Sequence, residues 1–331
     1  MSDLLKIENL NKAFYENVNI IKKFRKKNNK LKVLNNINLN IKKGEILGLV
    51  GESGSGKTTF ARTLMRLIEP DGGSAFYGGK NIFKMQENEV KMYLRKKFRM
   101  IFQHPDAALN PAFTVKMVFD QANNINQNRR YSPSDYVTML DSVGLNKNFL
   151  GKMPYELSGG EKRRINICRA LLTEPELIFA DEPTSGLDLY LQHQILNILT
   201  NIRDLYKLSI VFISHDLGLV RKISDRICVM YSGQIVEVGS TDNITLDSAL
   251  HPYTQDLLRA DSGIKPSLDW RKNMSGLNVL ENVSRYDEIE HCPYLENCID
   301  YRINNMPAVC SKKTPILRKI HKDHFIACHL K

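Results

Sequence analysis

The chain of 331 residues has one tryptophan and lacks any apolar run near the roughly 20 residues a membrane-spanning helix needs, so it is not expected to cross a bilayer by itself. Its opening, Met1-Ser2-Asp3-Leu4-Leu5-Lys6, has neither a basic stretch nor a long apolar core, which argues against a secretory leader. The cytoplasm is the expected location. Six cysteines are present, yet none form the C-x₂₋₄-C pairs usual for structural zinc. Acid is short relative to base: 36 Asp and Glu against 47 Lys and Arg, a formal charge of +11. That excess invites a nucleic-acid reading, but no nucleic-acid module accompanies it, so specific DNA or RNA binding ranks low. Much of the charge sits in one Asn-rich run, Lys22, Lys23, Arg25, Lys26, Lys27, Lys30 and Lys32. This reads as a solvated loop, with attraction to anionic lipid headgroups as the alternative. Hydrophobic and charged fractions of 42% and 25% are those of a globular protein, with room for a large domain plus an extension or for two domains.

What is there is organised around Gly51-Glu52-Ser53-Gly54-Ser55-Gly56-Lys57-Thr58, which reads G-x-x-x-x-G-K-T. It follows the apolar run Ile46-Leu47-Gly48-Leu49-Val50 and precedes a helical pattern from Thr59 to Ile68, in which Phe60, Leu64, Leu67 and Ile68 share a face. Strand, glycine loop and helix together point to phosphate binding. The glycines let backbone N–H groups turn toward phosphates, and the helix start adds partial positive charge. Lys57 is placed to reach the β- and γ-phosphates, and the Thr58 hydroxyl to meet Mg²⁺.

Alternation marks Leu5–Leu10 and Val33–Ile41 as strands of a small antiparallel sheet, with the basic run inserted between them. A hairpin is expected through Ala75-Phe76-Tyr77 and Gly78-Gly79, and Met100-Ile101-Phe102 reads as a short strand ending at Gln103. From His104 the character becomes helical, with a helix start at Ser132-Pro133-Ser134-Asp135. Strand signals resume at Leu177–Ala180 and Ser209–Ile213, flanking a helix with Ile195, Ile198, Leu199, Ile202 and Leu205 on one face. A last hairpin is expected over Ile227–Val238, turning on Ser232-Gly233, and beyond Ala260 the periodicity weakens.

Asp181 and Glu182 end one apolar strand, and Ser214-His215-Asp216 ends another. In a nucleotide core such ends emerge beside the phosphate loop. Asp181 is then placed to hold Mg²⁺, Glu182 to act as general base on the attacking water, and His215 to orient that water or Glu182. Leu157-Ser158-Gly159-Gly160-Glu161 opens a further helix, Lys162–Leu172, and makes a second anion-binding helix start.

With these motifs assembled, the sequence resembles the ATPase subunits of ABC transporters over residues 4–260. The glycine loop, Gln103, Leu157–Glu161, Asp181-Glu182, Ser185-Gly186-Leu187-Asp188 and His215 follow the family's order, with Glu161 where Gln is commoner. The resemblance implies an α/β fold: a P-loop NTPase (RecA-like) core with an antiparallel β subdomain and an α-helical subdomain, followed by a cysteine-containing C-terminal extension. The nucleotide-binding domain would span 1–260 with its helical part at 104–170, and the extension 261–331. It further implies catalytic roles for Lys57, Gln103, Glu182 and His215, and Mg²⁺ held by Thr58, Gln103 and Asp181. ATP would be contacted by Phe14 (Tyr15 second) stacking on adenine, and by Gly51, Ser53, Gly54, Ser55, Gly56, Lys57, Thr58, Thr59 and Gln103. Ser158, Gly159, Gly160 and Glu161 would cap the γ-phosphate bound to a partner ATPase.

Gln103–Pro111, Ile213–Leu217, His251-Pro252-Tyr253-Thr254 and the ending Ala327-Cys328-His329-Leu330 look like the oligopeptide, dipeptide and nickel importer ATPases. That resemblance implies two transmembrane permease subunits, an extracytoplasmic binding protein, a second ATPase that is a related chain or a second copy, and a peripheral place on the cytoplasmic face of the membrane. Phe113 and its neighbours become candidates for meeting the permease, with ordinary core packing as the other reading. Peptide import is the leading function, nickel or metal-chelate import the alternative. A soluble ABC ATPase of DNA repair or translation fits less well, since there is one glycine loop, one signature and no heptad stretch; an iron–sulfur-sensing module is the remaining class.

Cys168 and Cys228 fall in apolar patterns and read as buried bystanders. Cys292, Cys298, Cys310 and Cys328 cluster in the tail, a grouping that in a reducing compartment favours a metal over disulfides. Their wide spacing suits an iron–sulfur cluster better than zinc, and some peptide-importer ATPases carry a [4Fe–4S] cluster in this extension. Zinc and unmetallated thiols stay open, as do redox and purely stapling roles.

Overall fold

Alternate burial builds the first sheet. In a computed structural model that describes residues 2–15, 30–126, 130–262 and 291–331, Asp3–Tyr15 (β1) and Lys30–Lys42 (β2) pair antiparallel with Ile7 opposite Leu39. Both strands run well past the stretches expected from alternation, because register shifts along β1 let Lys12–Tyr15 stay paired after the pattern has lapsed. Gly72–Tyr77 and Lys80–Asn81 complete this four-stranded sheet through the expected Gly78-Gly79 hairpin. Of the Asn-rich basic run, Lys22, Lys23, Arg25, Lys26 and Lys27 lie outside the described residues, whereas Lys30 and Lys32 stand on β2.

The second sheet has eight strands, numbered here from β3 onward with the two short strands above as β4 and β5. Ile46–Val50 (β3), Leu177–Asp181 (β7) and Ser209–Ser214 (β8) are buried at every position. Strands apolar throughout belong to a parallel sheet covered on both faces. Successive residues of these strands do face different cores. Ile46, Ile210 and Phe212 meet Ile195 and Leu199, while Leu47, Leu49, Val211 and Ile213 meet Phe60, Leu64 and the first sheet. Phe98–Ile101 (β6) flanks β7, and Arg226–Tyr231 (β9) and Gln234–Ser240 (β10) flank β3 on the other side.

The helices follow the expected patterns with two corrections. Lys57–Leu64 (α1) stops short of Ile68, because Arg66 takes a left-handed backbone and its guanidinium turns to the Ile82 carbonyl at 2.6 Å. Leu67 is therefore 46% exposed and does not share the buried face of Phe60 and Leu64. Leu189–Tyr206 (α2) buries Ile195, Ile198, Leu199 and Ile202, but Leu205, in the last turn before left-handed Lys207, is 66% exposed. The helical insertion contains Val115–Ile125, Pro133–Ser142 with Ser132 as its cap, and Gly159–Leu171. Cys168 and Cys228 are fully buried, as their apolar surroundings led one to expect.

The tail joins the main sheet, which the sequence did not announce. Arg318–His321 (β11) pairs with His324–Ile326 (β12), and β12 pairs with β10, Glu237 opposite Ile326. Fully buried Glu237 ties three segments together. Its carboxylate accepts the N–H of Leu250 at 2.8 Å and of His251 at 3.0 Å, and meets His324 Nε2 at 2.8 Å. Glu237→Ala would strand all three groups; a buried polar group left alone costs about 1–3 kcal/mol. We expect this variant to unfold at clearly lower urea concentration, by about 3 kcal/mol or more, with the tail cysteines becoming reactive first.

Candidate functional site

Parallel pairing brings three strand ends to one edge. Val50 lies opposite Ser214 and Asp181 opposite Ile213, so the loop from Gly51, the pair Asp181-Glu182 and His215 emerge side by side. Gly51 must be glycine, since a Cβ there would sit 2.1 Å from the Met230 carbonyl oxygen. Gly56 has φ of 104° and faces the Val33 carbonyl of β2 at a distance no side chain tolerates. The helix α1 begins at Lys57 with no side chain capping it, which leaves its first N–H groups available to a ligand. Ser53 and Gly54 are exposed at the loop tip; Ser55, Gly56 and Lys57 are buried, and Thr58 and Thr59 half-buried.

Lys57 is folded back on its own loop, donating to the carbonyls of Gly51 at 2.6 Å and Glu52 at 2.8 Å. Burial lowers its pKa, opposed by the nearby carboxylates of Glu182, Asp181 and Glu52. The Thr58 hydroxyl donates to Asp181 Oδ1 at 3.0 Å. Burial pushes the Asp181 carboxyl up, the Thr58 bond pulls it down, and the Glu182 charge pushes it further up. A hydroxyl and a buried carboxylate crowded by a second acid are hard oxygen donors that suit Mg²⁺.

Glu182 has φ of 48°, a left-handed conformation costly for a residue with a side chain, and its N–H donates to the Ile213 carbonyl at 3.0 Å. His215 Nδ1 lies 2.9 and 3.0 Å from the two oxygens of Glu182. Lys57, Thr58, Asp181, Glu182 and His215 are thus gathered at one place. Gln103 is exposed just beyond β6, at the sheet edge beside β7. Phe14 and Tyr15, 38% and 66% exposed, sit at the end of β1.

Ser158 and Gly159 are exposed at the start of Gly159–Leu171, with Gly160 buried behind them. The Glu161 carboxylate accepts the Ser158 N–H at 2.7 Å while the Ser158 hydroxyl accepts the Glu161 N–H at 3.3 Å. Burial works against it, yet these bonds hold the Glu161 carboxyl below its usual range. Glu in place of the commoner Gln therefore closes a capping box.

The family model for ABC transporters matches residues 34–185. The chain is 36% identical over 309 residues to the oligopeptide transport ATP-binding protein AppF of Bacillus subtilis, covering 93% of this chain and 92% of that protein.

The chain belongs to the ABC transporter family.

Its similarity to the oligopeptide transport ATP-binding protein OppF of Streptococcus mutans is 42% over 73% of this chain and 79% of that one. A solved ATP-binding cassette, dimeric and holding ADP and Pi after hydrolysis, superposes with a TM-score of 0.62 at 25% identity, over 72% of this chain and 98% of that structure. The P-loop NTPase fold of an ABC ATPase, with its mixed α/β sheets, is thereby shown.

In this ABC subunit the four tail cysteines line one small cavity with His251, Tyr294 and His329. Cys298, Cys310 and Cys328 are buried and Cys292 is half-buried; the Cys292 N–H donates to the Cys310 carbonyl at 2.9 Å. Burial, reinforced by the neighbouring thiols, pushes Cys292 up to about 12; burial, with Asp300 and Cys328 nearby, takes Cys298 to about 11. The expected convergence is present, but expected ligand geometry is not: among the described residues no three Cys, His, Asp or Glu side chains stand as ligands of one metal ion. The cavity is about 10 Å³, room for about one water. A larger cavity, about 940 Å³, lies elsewhere, between β1, β2 and β10 and the tail; Lys32 of the basic run lines it, but none of the expected nucleotide, catalytic or cysteine residues does.

Arg163 was not singled out, although it knits this site together. Its buried guanidinium donates to the carbonyls of Pro183 at 2.7 Å and Ser185, and to that of Gln103 at 3.4 Å. It thereby ties the Ser158 helix to the segments following Gln103 and Glu182. An Arg among the charged residues Glu161–Arg164 gives no local sign of being buried, so only the fold reveals it. Charged hydrogen bonds contribute about 1.5–3 kcal/mol each. We expect Arg163→Ala to lower unfolding free energy by about 3 kcal/mol in chemical denaturation, and Arg163→Lys to recover only part of it.

Proposed function

We propose that this chain is the ATP-hydrolysing subunit that powers import of oligopeptides or dipeptides through two partner membrane subunits. The observation carrying the reading is near full-length similarity to an oligopeptide transport ATP-binding protein, in a chain whose Lys57, Asp181, Glu182 and His215 meet at the ends of neighbouring strands. A dipeptide transport ATP-binding protein of Lactococcus lactis, 40% identical over 69% of this chain, supports the same substrate class. No helix among the described residues is long and apolar enough to cross a membrane, so the path for the peptide belongs to partners. Its place is the cytoplasmic face of the membrane, with an extracytoplasmic binding protein delivering the peptide.

ATP would lie over Gly51–Thr59, with Phe14 against the adenine. Lys57 releases the carbonyls of Gly51 and Glu52 and donates to the phosphates. Thr58, Asp181 and Gln103 would hold Mg²⁺, which when bound neutralises charge on the phosphate oxygens. Glu182 takes the proton of the attacking water, and His215 holds the Glu182 carboxylate in place. Ser158, Gly159 and Gly160 serve the site of a second ATPase subunit, a related chain or a second copy, so two nucleotides join the pair and hydrolysis parts it. Phe113 is half-buried and packs against the core, the other reading made of it, so the face that meets the membrane subunits would be formed by its exposed neighbours Asn110, Pro111 and Ala112. Cys292, Cys298, Cys310 and Cys328 are the residues that would hold a metal centre, [4Fe–4S] or Zn²⁺, stapling the tail; four thiols facing one cavity are a suitable donor set.

Two measurements test this. Glu182→Gln is expected to lose about 10²–10⁴ in hydrolysis rate while still binding ATP and accumulating as an ATP-bound pair on size exclusion. Hydrolysis at the parental rate would remove Glu182 from the role. Anaerobic purification of the intact complex, followed by iron, sulfide and zinc analysis, is expected to give one metal centre per chain that is lost in Cys310→Ser.

A further inference from the structure

Behind the nucleotide loop stands Tyr253, which has so far served only as part of a family resemblance and has been given no role. It is 1% exposed, and its hydroxyl accepts the backbone N–H of Glu52 at 3.1 Å. Glu52 is held from the other side as well, because its carbonyl accepts Lys57 Nζ at 2.8 Å. One residue of the loop is therefore gripped at its N–H by Tyr253 and at its C=O by the lysine that must later turn to the phosphates. Tyr253 has no freedom of its own. Its N–H donates to His251 Nδ1 at 3.1 Å at the start of the helix Pro252–Asp261. Its ring packs on Tyr231 at 4.5 Å and on Tyr294 at 5.4 Å between centroids. Tyr294, the second residue after Cys292, is fixed in turn by donating to buried Asp256 at 2.6 Å. Tyr294 and His251 both line the cysteine cavity.

We infer that Tyr253 is a positioning residue for the phosphate loop, and that through Tyr294 and His251 it makes the loop's grip on nucleotide depend on the packing of the tail's cysteine cavity. The inference rests on the nucleotide reading of Gly51–Thr58. The physics is local. A half-buried N–H that loses its acceptor must find another, and the nearest way is for the Gly51–Glu52 peptide to rotate, which also moves the Gly51 carbonyl that accepts Lys57 Nζ at 2.6 Å. The chemical step is untouched, because Glu182 and His215 are set by the β7–β8 pairing. A positioning defect should thus appear in nucleotide affinity and spare turnover.

The test uses the full chain, a fluorescent ATP analogue for affinity and saturating ATP for turnover, with the thermal midpoint measured without nucleotide. Tyr253→Phe keeps the ring and removes only the acceptor. We expect about fivefold weaker binding and a matching rise in KM, with kcat changed by less than about twofold. Tyr294→Phe, which touches neither loop nor nucleotide, is expected to shift affinity in the same direction by a smaller factor, and to add nothing to Tyr253→Phe. Wild-type affinity in Tyr253→Phe overturns the inference. Should that variant fail to fold, wild-type affinity in Tyr294→Phe overturns the link to the tail. A wild-type chain that binds no ATP analogue would instead sink the nucleotide reading, and this inference with it.

Discussion

The parallel register of three buried strands is the constraint on which the site depends. β3, β8 and β7 lie side by side with Val50 opposite Ser214 and Ile213 opposite Asp181. Apolar residues on both faces leave these strands no alternative pairing, because a slip by one residue would exchange the side chains that face the two cores. Register is thus fixed by hydrophobic burial, and the polar residues at the strand ends are carried to their places. Lysine, acid and histidine converge because Leu47, Leu49, Val211, Ile213, Phe179 and their neighbours have nowhere else to go.

This division explains what could be read in advance. Short apolar runs that end in chemistry-bearing residues are local signals, so the glycine loop, Asp181-Glu182 and His215 were legible, as were the Ser132 cap and the Ser232-Gly233 turn. Leu67 and Leu205 misled because periodicity carries on past a helix end, whereas the helix stops where the backbone does, at Arg66 and Lys207. Arg163, Tyr253 and Glu237 were hidden for another reason. Each takes its role from backbone groups 13 to 201 residues away in the chain, and nothing in its immediate neighbours records that. The tail strands escaped notice because Arg318–His321 and His324–Ile326 are short, basic and without alternation.

The tail is bound to the core by two unlike means. β12 and Glu237 fasten it through backbone pairing and buried hydrogen bonds, while the cysteine cavity and the Tyr231, Tyr253 and Tyr294 rings join it to the region behind the phosphate loop. The first fastening needs no ion. The extension is therefore anchored to the core independently of its cysteines.

The left-handed backbone at Glu182 has a consequence of its own. Left alone, such a residue would relax to an ordinary conformation, so its carboxylate direction is dictated by the N–H bond to Ile213 rather than by local preference. Glu182 behaves as a needle whose bearing is set by the spacing of two strands. Any event that slid β8 against β7 would part the acid from His215 without a single side chain being altered.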